Sequence, residues 1–75
     1  MITIETHRSD FESWVLTEEQ YQKFSSRMKD VFGDEWEAKD EGILNRQARW
    51  ILYEMMGEPT LELTGEGGTF DIIKD

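Results

Sequence analysis

The chain has no cysteine, so neither disulfides nor thiolate metal sites help to hold it together. That composition fits a reducing, cytoplasmic setting. It has a single histidine and a single proline. His7 has no cysteine to pair with, which removes the usual thiol–imidazole arrangement for nucleophilic catalysis. Basic residues are scarce, eight against seventeen acidic ones, and the net charge is −9. An excess of that size repels nucleic acid and anionic membranes and favours partners with a basic surface. No apolar run approaches the roughly 20 residues a membrane-spanning helix needs. The opening Met1-Ile2-Thr3-Ile4 lacks the basic region and long apolar stretch of a signal peptide.

What is present is enough for a core. Nine aromatics, 12% of the chain, and 37% apolar residues make it too hydrophobic to stay disordered. With 75 residues, the expectation is one compact acidic domain over residues 1–75, near the lower size limit for a self-sufficient core. Its organising stretch is residues 43–56. Leu44, Ala48, Ile51, Leu52 and Met55 fall on one helical stripe. Trp50 and Tyr53 are expected to widen that stripe into the core. Asp40 is the expected N-cap, and Gly57-Glu58-Pro59 the stop signal.

The other elements follow from local pattern. Ile2-Thr3-Ile4-Glu5-Thr6-His7 alternates and is β-branched, so it predicts a strand. Phe11-Glu12-Ser13-Trp14-Val15-Leu16 predicts a second, joined to it as a hairpin. Ser9 and Glu12 would also make a capping box, but Thr17-Glu18-Glu19-Gln20 is the fuller one and starts the first helix at Thr17. That helix carries Tyr21, Phe24, Met28, Val31 and Phe32 at helical spacing and ends at Gly33. Asp34 and Glu37 suggest a short helical turn around Trp36. Thr60-Leu61-Glu62-Leu63-Thr64 and Thr69-Phe70-Asp71-Ile72-Ile73, separated by Gly65-Glu66-Gly67-Gly68, predict a closing hairpin. The expected class is α+β: a small antiparallel sheet of two hairpins with two helices packed on one face, in the order ββααββ.

Catalytic and metal readings find little to stand on. General acid–base work needs a carboxyl with a raised pKa, and among the acids only Glu54 sits within an apolar run. A calcium loop with Gly42 at its sixth position puts Ala48 where the bidentate glutamate belongs. The glycine loop at 65–68 leads into a strand, so it is a turn and not a phosphate cradle. No cofactor is expected. The richest feature is the run from residue 30 to 41, with six acids and one lysine, a local charge of −5. Asp34, Glu35, Trp36, Glu37, Asp40 and Glu41 are therefore the candidate partner-binding residues. Carboxylates on a rigid scaffold form the same charge-assisted bonds with Arg and Lys as phosphates do.

The function expected from these features is a non-enzymatic, cytoplasmic, acidic protein-binding module. In composition it resembles phage-encoded inhibitors of host proteins, which suggests a DNA mimic occupying the basic groove of a nucleic-acid-binding protein. Direct binding to nucleic acid or membrane is not expected. The alternative is a small regulatory or structural subunit that binds a partner, or a second copy as a homodimer, through the apolar helix 43–56. Arg46 and Arg49, with Trp50 and Tyr53, form a basic-aromatic patch there, and the arginines are expected to pair with the acid run.

Overall fold

The computed structural model describes residues 1–7, 11–60 and 70–74. Strands β1 (Ile2–His7) and β2 (Phe11–Leu16) pair antiparallel in the register Ile2↔Leu16 to His7↔Phe11. Strand β3 (Phe70–Lys74) pairs antiparallel with the other edge of β1, Thr6 opposite Phe70 and Ile2 opposite Lys74. The sheet order is β2-β1-β3, which makes β1 the central strand.

Between β2 and β3 lie helices α1 (Glu18–Phe32) and α2 (Glu41–Met56). Thr17 caps α1 as a full capping box: its hydroxyl accepts from Gln20 N–H, and the Gln20 side chain accepts from Thr17 N–H. Gly33 and Gly57 close the two helices at φ +93° and +83°, a region glycine enters without steric cost.

Alternation decides what is buried. Ile2 and Ile4, Trp14 and Leu16, and Phe70 form one face of the sheet and join one core with both helices. From α1 come Tyr21, Phe24 and Met28; from α2 come Leu44, Ala48, Ile51 and Leu52. Phe32, Met55 and Ile72 pack against this core half-buried. Polar bonds help to lock α2 and its C-terminal end to the sheet. Asn45 pairs with the His7 backbone in both directions, at 3.0 and 2.9 Å, as a neighbouring strand would. Trp14 Nε1 donates to the Gly57 carbonyl at 3.1 Å.

Three expectations are corrected. Among the described residues there are three strands in the order ββααβ, not ββααββ. Thr60 forms a bridge with Ser13 on the outer edge of β2, two strands away from β3. The returning strand takes β1 as its partner because Phe70 and Ile72 reach the core only from that position. The rest of the expected 60–64 strand, the 65–68 turn, and Leu61 and Leu63 as core residues lie outside the described residues. Val31 is exposed, because Met28 and Phe32 already fill the inward side of the last turn of α1. Trp50 is 64% exposed, on the solvent side of α2. It lies about 200° around the helix from Ala48 at about 100° per residue, so it cannot share the Ala48 stripe.

Candidate functional site

The corner between α1 and α2 carries the acid run. The Gly33 N–H bonds back to the Lys29 carbonyl at 2.7 Å, ending α1. The chain then makes a 3₁₀ turn over Trp36–Ala38. The turn is where Asp34 and Glu37 suggested one, but Glu35 occupies its N-cap and no side chain caps it. Trp36 is only 1% exposed and meets Phe24 edge-on, with centroids 5.9 Å apart. It pins the corner from inside the core. Asp34, Glu35, Glu37, Asp40 and Glu41 are all exposed. Asp40 is committed to capping α2, accepting from Gly42 and Ile43 N–H at 2.9 and 3.4 Å. Glu37 is turned toward Tyr21, whose hydroxyl is held above its ordinary pKa of 10.0 by burial first, then by the charges of Glu37 and Glu18 and its hydrogen bond with Glu37.

The arginines of α2 do not fold back on this corner. Arg49 binds Glu12 of β2, its Nε and Nη2 at 2.6 and 2.5 Å from Oε1. Tyr53 donates its hydroxyl to the other oxygen, Oε2. Helical rise explains the correction: Arg49 stands nine residues beyond Asp40, about 13 Å up the axis. Glu54 lies on the exposed side of α2 and pairs with Arg27 of α1 at 3.1 Å. That pair is well exposed and ties the two helices together at the surface.

Glu12 is 7% exposed, and sequence pattern offered the signal that finds it. It has the same parity as Trp14 and Leu16, so β2 turns all three toward the helices. A carboxylate there needs a buried-side cation, and Arg49 is the one α2 supplies. The hydrogen bond to Glu12 is the main reason the Tyr53 hydroxyl titrates above its ordinary value, with burial and the Glu12 charge adding to it and Arg49 opposing.

Beside this cluster, α2 presents an apolar surface. An open concavity of about 670 Å³ is lined by Phe32 of α1 and by Ile43, Arg46, Gln47, Arg49, Trp50 and Tyr53 of α2. Ile43, Trp50 and Tyr53 are 53%, 64% and 41% exposed. Three large apolar side chains bunched on one helix face differ from the isolated surface leucines that any protein shows. Arg46 is exposed beside them, and no ion pair engages it among the described residues.

Among the described residues, no group of three or more His, Cys, Asp or Glu side chains is placed to hold a metal ion. No described helix is long and apolar enough to cross a membrane. Comparison with protein-family models, with curated proteins and with solved structures finds no match to this chain.

Proposed function

We propose that the chain is a small protein-binding module acting by docking and without a catalytic step, and that its docking surface is the face of α2 centred on Trp50. The observation that carries this reading is the exposure of Trp50 at 64% within a concavity it shares with Ile43 and Tyr53. Tryptophan and tyrosine dominate binding energy at protein interfaces because they bring large rigid area and lose little side-chain entropy. Arg49 and Tyr53 are held by Glu12, so part of the surface is already ordered before a partner arrives. Among the described residues, thirteen hydrophobic side chains are buried in the core, yet this group stays outside. A site of this chemistry needs neither cofactor nor metal.

A second reading rests on the acid corner. Five exposed carboxylates surround the anchored Trp36, which favours a basic groove as target, in the manner of a DNA mimic or phage-type inhibitor working in the cytoplasm. Salt separates the two. Capture of partners from a bacterial lysate is compared for the wild type, Trp50→Ala, and the pair Glu35→Lys/Glu37→Lys, at about 0.1 M and about 1 M salt, where the screening length falls from about 10 Å to about 3 Å. The α2 reading expects capture that survives high salt and is lost in Trp50→Ala. Capture lost at high salt and in the charge reversals, but intact in Trp50→Ala, would replace it with the acid-corner reading.

A further inference from the structure

The exposed side chains on α2 are arranged in a way that names an occupant. Ile43, Arg46, Trp50 and Tyr53 follow one another at intervals of three, four and three residues, the spacing of a helix–helix packing seam. The set is also symmetric about Ala48. Arg46 and Trp50 each stand two residues from it, and Ile43 and Tyr53 each stand five residues from it. We propose that this face is covered by a second copy of the chain, with the two α2 helices antiparallel about a two-fold axis at the level of Ala48. In that arrangement Arg46 lies over Trp50 of the other copy, and Ile43 packs against its Tyr53. This inference rests on the docking reading of α2 and specifies its partner.

Charge selects the antiparallel orientation. A parallel pair would set Arg46 against Arg46 and bring the two acid corners side by side, costly for chains of net charge −9. The antiparallel pair puts a guanidinium over an indole face, an attractive contact. It also sends the acid corners, which end at Glu41, to opposite ends of the seam. Glu41 stands seven positions before Ala48, so the corners lie about 21 Å apart along the axis, well beyond a screening length of about 8 Å at physiological salt. A two-fold interface must be self-complementary, and this set of four residues is. One helix face is small for an interface, so the dimer belongs to the weak, concentration-dependent class.

The test is sedimentation equilibrium of the full chain from micromolar to millimolar concentration. Three proteins are compared: the wild type, Trp50→Arg, and the double variant Arg46→Glu/Trp50→Arg. Both positions of change are exposed, and unchanged circular dichroism and melting temperature establish that each variant is folded. Trp50→Arg sets two guanidinium groups against each other across the axis and should raise the dissociation constant by at least about tenfold. The double variant sets a carboxylate opposite a guanidinium of the other copy and should bring it back toward the wild type. Rising salt should leave the wild-type dimer intact or strengthen it, because screening relieves the repulsion between two acidic chains. A dimer indifferent to Trp50→Arg overturns the proposal, as does one the double variant fails to restore. A wild type that stays monomeric throughout also overturns it. The docking reading then stands on its own if Trp50→Ala still loses a captured protein partner, and falls as well if it does not.

Discussion

Removing the Glu12 carboxylate tests the link between β2 and α2 most directly. Glu12→Ala takes away the acceptor of two Arg49 bonds, at 2.6 and 2.5 Å, and of the Tyr53 hydroxyl. Hydrogen bonds to charged groups contribute about 1.5–3 kcal/mol each, and breaking a fully buried pair costs about 3–5 kcal/mol. The Arg49 side chain is 20% exposed and regains some water once released, whereas Glu12 is only 8% exposed. The net loss should therefore be about 2–3 kcal/mol, from a total of about 4–11 kcal/mol for a domain of this size. In a thermal melt followed by circular dichroism, that is a fall of about 10–20 °C. Glu54→Ala is the internal control. Its pair with Arg27 is 55% and 36% exposed, so it should cost less than about 1 kcal/mol. The double variant Glu12→Leu/Arg49→Met, which removes both charges at similar volume, should lie much closer to the wild type. If Glu12→Ala costs no more than Glu54→Ala in urea and thermal unfolding, the cluster does not hold β2 to α2 as argued.

Ile51 is 1% exposed at the centre of the core, so Ile51→Ala should destabilise by about 2–5 kcal/mol in urea titration. Thr17→Ala removes the hydroxyl that accepts from Gln20 N–H and should cost about 1 kcal/mol. Alkali should weaken the fold through two tyrosines. Tyr21 and Tyr53 both sit above their ordinary value of 10.0, so the native state favours their neutral forms. Their contribution is whole below pH 10 and is lost as pH rises through the raised values. The urea midpoint should fall in that range, and less steeply in the double variant Tyr21→Phe/Tyr53→Phe.

Local chemistry was the legible part of this sequence. Caps, glycine stops and alternation name β1, β2, α1 and α2 with their ends, because each signal is complete within a few residues. The Thr17 box and the Asp40 cap are examples. The partner of β3 was not legible. A strand such as Phe70–Lys74 satisfies its local pattern beside any neighbour, and only the shared core makes β1 the better one. The two misplaced readings on α2 have a common cause. Hydrophobicity alone places Trp50 in the core, whereas its helical angle points away from it. Proximity in sequence pairs Arg49 with the acid run, whereas the strand beside it holds a buried carboxylate. In both cases direction, not composition, decides the partner.

The distribution of charge then acquires a physical sense. A chain of net charge −9 repels its own copies and most acidic surfaces. It nevertheless leaves two arginines beside its exposed tryptophan and puts its densest acid at the start of the same helix. Because α2 is rigid and capped by Asp40, these two regions keep a fixed separation along one axis. On the proposed docking reading, a partner meeting the Trp50 face would be pulled in by apolar area and admitted only in an orientation that holds its own negative charge away from the corner. On that reading affinity would arise at one end of the helix face and orientation at the other, a division that apolar packing alone would not supply.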